Sequence, residues 1–81
     1  MLDEKTKELI AVGASITANC QPCLDYHVAK ARELGALAED LLAAVEVGKL
    51  VRCGAAAKMD RHAARQVAGQ NVQEPPSCDC R

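Results

Sequence analysis

Phenylalanine and tryptophan are absent from this chain, and Tyr26 is its single aromatic residue. The apolar positions are filled by Ala, Val, Leu and Ile instead. Small side chains bury little area each, so a core built from one copy is thin. Eighty-one residues make one domain at most. A chain of that size buries only about 60–65% of its unfolded surface. The expected remedy is assembly into a homo-oligomer. Alanine has the highest helix propensity and lets helices approach closely, so an all-α subunit is expected. An excess of one charge sign is also missing. Lys plus Arg is 10 and Asp plus Glu is 11, a formal net charge of −1. With no basic run and no aromatic platform, nucleic-acid binding is not expected. No apolar stretch approaches the roughly 18 residues a membrane span needs. Met1-Leu2-Asp3-Glu4-Lys5 has no secretory signal pattern, so a cytoplasmic location is expected. Phosphate-loop, metalloprotease, calcium-loop and hydrolase-nucleophile signatures are all missing.

Cysteine, in contrast, is plentiful. There are five, an odd number that cannot pair completely within one chain. In a reducing compartment, cysteines at this density ligate metal or do redox work more often than they form a structural framework. Cys20-Gln21-Pro22-Cys23 sets two thiols at CxxC spacing, and His27 follows one helical turn after the second.

Periodicity places these residues on helices. Leu9, Ile10, Val12, Gly13 and Ile16 recur at spacings of three and four, which predicts a helix over about 3–17. Asp3 and Glu4 suit its positive end. Gly13 inside it suggests close contact with another helix. Residues 18–22 read as a tight connection, because Pro22 disfavours helical geometry at Gln21 and is at ease in a first turn. A second helix is expected from Cys20 or Gln21 to Leu34, with Asn19 as N-cap and Gly35 closing it in a left-handed conformation. Cys20, Cys23, His27 and Ala31 share one face of it, beside an apolar strip of Leu24, Val28 and Ala31. A third helix is expected over about 38–56, with Glu39 and Asp40 in its first turn and Leu41, Leu42, Val45, Leu50 and Val51 toward a core. Gly48 does not interrupt the pattern. Asp60 can cap a last helix to 67 or 68; the alternatives put the turn near Lys58-Met59 or omit it. The organisation is thus one domain of three to five helices over 1–70. The remainder, 71–81, is expected to be a mobile tail carrying Cys78-Asp79-Cys80.

The chemistry of the CxxC-His stretch follows from thiolate formation. A thiolate attacks a disulfide or a peroxide, whereas a thiol does not. A helix N-terminus and a nearby imidazolium both stabilise that anion. Cys20 and Cys23 lie at the expected helix start, and His27 stacks four residues past Cys23. The second thiol can resolve whatever the first forms, giving an internal disulfide that an outside reductant reopens. A carboxylate from the first helix can orient His27 or hold its proton. Spacing alone does not choose Glu8 over Glu4. Three other readings stand beside this one: a CxxC pair buried as small hydrophobes, a non-catalytic oligomeric interaction subunit, and a soft-metal module. Cys20, Cys23, Cys78 and Cys80 would make a tetrahedral zinc set. The CxC can also pass electrons to the CxxC, or take no part.

At these residues the chain resembles the AhpD-like, or carboxymuconolactone decarboxylase-like, family. The likeness covers roughly Lys7 to Arg65. It is carried by Glu8, Ala14-Ser15-Ile16, Cys20-Gln21-Pro22-Cys23-Leu24-Asp25-Tyr26-His27, Ala31, Gly35 and Glu39-Asp40. The resemblance implies a compact all-helical subunit that assembles into homo-oligomers. It implies a thiol-dependent peroxidase or disulfide oxidoreductase cycling through a Cys20–Cys23 disulfide. Cys23 would be the activated thiol, Cys20 its partner, and Glu8 with His27 the proton relay. No bound cofactor is implied. The partners would be a hydroperoxide or disulfide substrate and an external dithiol or protein reductant, such as a lipoyl-like dithiol or a peroxiredoxin. Redox members carry a further histidine between the two cysteines, where this chain has Pro22. The decarboxylase branch does not rely on a CxxC pair, so decarboxylation is the less expected activity. Among the remaining polar residues, Tyr26 lines the site mouth or merely packs. Asp25 faces solvent or adds to the helix-start field. Cys53 is expected to be buried, and His62 and Met59 to take surface or core places.

Overall fold

A computed structural model of the chain describes residues 1–69. Three helices make up the described fold: α1, Glu4–Thr17; α2, Gln21–Glu33; and α3, Ala38–Ala68. The all-α expectation holds, at the lower end of the expected helix number. The signals that start the helices are local. Asp3 caps α1 by accepting the Thr6 N–H at 2.8 Å. Asp40 reaches back to the Leu37 N–H at 3.3 Å at the start of α3. Each bond pairs one backbone donor that a helix start leaves open.

Two tight turns of one kind join the helices. After α1, the Asn19 N–H donates to Ile16 O at 3.1 Å and the Cys20 N–H to Ser15 O at 3.0 Å. After α2, Gly35 N–H donates to Arg32 O at 3.0 Å and Ala36 N–H to Ala31 O at 2.9 Å. Both are Schellman closures, which need a left-handed residue just past the helix. Gly35 supplies it with φ 94°, as expected, and Asn19 supplies it with φ 56°. Asn19 is therefore not the N-cap of α2. Cys20 takes that place, its Sγ accepting the Cys23 N–H at 3.3 Å. The Asn side chain is one of the few that tolerates this backbone region.

The second correction concerns the C-terminal half. No turn separates a third helix from a fourth: α3 runs unbroken through Ala55-Ala56-Ala57 and Lys58-Met59, and Asp60 caps nothing. The reading that omitted the turn is the one observed. An alanine run without Pro or a polar cluster gives the backbone no reason to leave the helix.

α1 packs against both other helices. Val12, Ala31 and Leu41 form the buried cluster, with Leu9, Leu24, Val28, Ala44 and Val45 packed around it. α1 and α3 meet at two glycines. A Cβ on Gly48 would overlap the Gly13 carbonyl oxygen and stand 2.8 Å from Ile16 Cβ; one on Gly13 would stand 3.0 Å from Ala44 O. Thr17 seals the crossing by donating its hydroxyl to Gly48 O at 3.0 Å. The close contact expected at Gly13 is thus real, and its other half is Gly48. The tail residues Cys78 and Cys80 lie outside the described residues. No described helix is long and apolar enough to cross a membrane.

Candidate active site

The turn after α1 is what builds the site. Cys20 is at once the residue that closes α1 and the residue that caps α2. Its sulfur is therefore held at the N-terminus of α2 by backbone hydrogen bonds on both sides. Pro22 enters the first turn of α2, where a missing N–H costs nothing. Cys23 follows in the same turn and is exposed, whereas Cys20 is half-buried. The two are joined by a disulfide, with Cα atoms 5.3 Å apart. One turn of helix thus brings together the pair that CxxC spacing selects.

His27 lies a turn further along α2, and its Nδ1 meets Glu8 Oε1 of α1 at 2.6 Å. Glu8 is the carboxylate that sequence spacing alone could not separate from Glu4. Glu4 instead faces Lys7 at 3.1 Å on the exposed side of α1. The Glu8–His27 pair is largely shielded, with side-chain exposures of 19% for Glu8 and 29% for His27, so the contact is less screened than a surface ion pair. An ionised carboxylate only accepts, so Nδ1 is the donor in this pair and Nε2 is left to exchange protons. The Tyr26 ring stands edge-on to the His27 ring, centroids 5.0 Å apart and planes at 84°. Tyr26 is itself exposed, so it flanks the imidazole at the surface and is no part of the core. Asp25, Met59 and His62 are also exposed, and Cys53 is half-buried in α3, short of the full burial expected.

The residue that sequence reasoning missed is Arg52. From α3 its Nη1 donates to Ile16 O at 3.2 Å and to Asn19 Oδ1 at 2.9 Å. It ties α3 to the turn that carries Cys20. Asn19 was the available signal, because a polar residue in a left-handed turn presents its side chain to a partner; the partner's distance along the chain hid it. Of the soft-metal set, only Cys20 and Cys23 fall within the described residues; Cys78 and Cys80 lie outside them. Joined as a disulfide, Cys20 and Cys23 are not thiolate ligands, and no group of three or more His, Cys, Asp or Glu among the described residues is placed to hold a metal.

The arrangement can hold a thiolate at a helix start, move a proton through an oriented imidazole, and release two electrons as a dithiol closes to a disulfide. A family model described as the carboxymuconolactone decarboxylase family matches residues 1–68. A protein of Paracoccus denitrificans described as "Uncharacterized protein 4 in cox locus" is 42% identical over 55 residues, which cover 68% of this chain and 50% of that protein. The chain thus spans about half the length of the curated relative it matches. No solved structure matches it.

Proposed function

The chain belongs to the carboxymuconolactone decarboxylase family, and from that premise we propose that it is a thiol-dependent peroxidase or disulfide oxidoreductase working through Cys20 and Cys23. The observation that carries this reading is a disulfide at the N-terminus of α2 with the Glu8–His27 pair one turn away. In the reduced protein, Cys23 is the attacking thiolate, favoured by the partial positive charge of the helix start. Its sulfur attacks the distal oxygen of a hydroperoxide ROOH, and an S–O bond forms. The O–O bond breaks, ROH leaves with a proton delivered through His27, and Cys23 becomes a sulfenic acid. The Cys20 thiol then condenses with it, releasing water and forming the disulfide. Two electrons from an external dithiol, a lipoyl-like group or a protein reductant, restore both thiols. With a disulfide substrate, the same pair runs by exchange. Glu8 holds the imidazole in one orientation and offsets its charge while it is protonated. A cytoplasmic setting suits the cycle, because the disulfide must be reopened.

The test is turnover of an alkyl hydroperoxide with a dithiol reductant. Cys20→Ser and Cys23→Ser are each expected to abolish it, and Cys23→Ser to prevent sulfenic acid formation as well. Full activity in the double replacement would overturn the proposal.

A further inference from the structure

A hollow of about 200 Å³ opens beside the disulfide, and the sulfur residue on its wall is Cys20. Ile16, Asn19, Leu24 and Arg52 also line it. Its volume is below the roughly 300–1,000 Å³ of sites for drug-sized ligands, so it suits a small molecule. One of its walls is a cation. Arg52 is half-buried, and its two hydrogen bonds both use Nη1 and both go to uncharged oxygens. A guanidinium has five N–H donors in a planar fork. Among the described residues no carboxylate pairs with it. The N-terminus of α2 adds partial charge of the same sign from the other side.

We infer that this hollow seats a small thiol carrying a carboxylate, with Arg52 reading the charge and Cys20 Sγ receiving the attack. The inference rests on the redox reading above and names the class of reductant for it. The thiolate RS⁻ attacks Cys20 Sγ, and an RS–Sγ bond forms. The Cys20–Cys23 bond breaks, its electron pair leaves on Cys23 Sγ, and that thiolate takes a proton through His27. A second RS⁻ attacks the thiol-derived sulfur of the mixed disulfide, releasing RSSR and the Cys20 thiolate. Two thiolates are oxidised to one disulfide, and the protein gains two electrons.

The experiment uses the oxidised full chain and three thiols of similar size: 3-mercaptopropionate, 2-mercaptoethanol and cysteamine. Loss of the Cys20–Cys23 disulfide is followed by acid quench and mass mapping, with rates expressed per thiolate to remove differences in thiol acidity. The expected order is anionic, then neutral, then cationic. A partly exposed charge pair at this kind of site predicts steps of about three- to fivefold. Added salt should compress the order. In Arg52→Gln the anionic-to-neutral ratio should fall to about one, while Arg52→Lys should keep the order. The trapped mixed disulfide of 3-mercaptopropionate should sit on Cys20. Equal rates for the three thiols in the unaltered protein, or an order insensitive to both salt and Arg52→Gln, overturns the inference and leaves the redox reading standing. A disulfide that none of the three reduces overturns the inference, and one that a dithiol also leaves intact overturns both. The salt series needs no variant, so misfolding of Arg52→Gln does not remove the test.

Discussion

At the scale of single residues, the pair Glu8 and His27 makes the most direct demand on the chemistry. Nδ1 is occupied by the carboxylate at 2.6 Å, so in the proposed cycle a proton would travel by Nε2. Removing the imidazole removes the relay, and positioned acid–base groups contribute about 10²–10⁴-fold. His27→Asn is therefore expected to lower hydroperoxide turnover by at least about 100-fold. Glu8→Gln keeps a hydrogen-bonding group of the same shape but loses the charge that sustains the imidazolium. Its loss should be smaller, about tenfold. Equal rates in all three proteins would remove both residues from the mechanism. Cys20, Cys23 and His27 were legible in the sequence because their relation is local: one CxxC and one helical turn. Glu8 lies 19 residues from its partner, so spacing could not prefer it to Glu4, and resemblance alone singled it out. Arg52 lies 33 residues from Asn19, and no local pattern marks such a contact.

At the scale of elements, the caps and the glycine crossing decide what holds. Hydrogen bonding from the Thr6 side chain, then from the Thr6 backbone N–H, with the nearby Lys5 charge, lowers the Asp3 carboxyl below its ordinary range despite its full exposure. A depressed carboxylate stabilises the fold above its unfolded pKa, and that contribution disappears as pH falls through the lower folded value. The start of α1 should therefore fray on acidification below the usual aspartate range. Amide exchange at Thr6 should report it, and Asp3→Asn should cap at every pH with the acid limb gone. The glycines of α3 make a sharper contrast. Gly48→Ala gains about 1 kcal/mol of helix propensity. It also drives a methyl into the Gly13 carbonyl oxygen, a backbone atom that cannot swing aside. Overpacking costs about 1–3 kcal/mol, occasionally more, and a rigid backbone contact puts this site at the upper end, so net destabilisation by about 2 kcal/mol is expected. Gly54 has no neighbouring atom within 4 Å of an added Cβ, so Gly54→Ala should stabilise by up to about 1 kcal/mol. Urea denaturation of the two variants should move the midpoint in opposite directions. Helix identity was readable from periodicity because that signal repeats within each element. The continuity of α3 was not, since alanine fits either side of a turn equally well. The role of Gly48 was hidden because its meaning lies in Gly13, on another helix.

At the scale of the whole molecule, the thin core expected from an aromatic-poor composition is what the helices produce. Val12 is the one large side chain fully buried among the described residues, and Ala31, Leu41 and Ala57 complete the buried hydrophobic set. Meanwhile Ile10, Leu42, Val47 and Val51 are each more than half exposed. Three of these four, Ile10, Val47 and Val51, line an apolar hollow of about 560 Å³ between α1 and α3, away from the disulfide. Apolar area left in water on a chain with so little inside it is the physical argument for assembly. We propose that a second copy of this chain covers the α1–α3 face. Sedimentation velocity across a range of concentrations should then give a mass above that of one chain. Val47→Glu places a charge in the hollow without touching Cys20, Cys23, Glu8 or His27. It should shift the distribution to single chains and lower the thermal midpoint, with the midpoint becoming independent of protein concentration. A single-chain mass for the unaltered protein at all concentrations would defeat the proposal. An unchanged oligomer in Val47→Glu would move the contact off this face. Neither Cys20 nor Cys23 lines the hollow, so the reduced and oxidised proteins should show the same mass, a second measurement on the same sample.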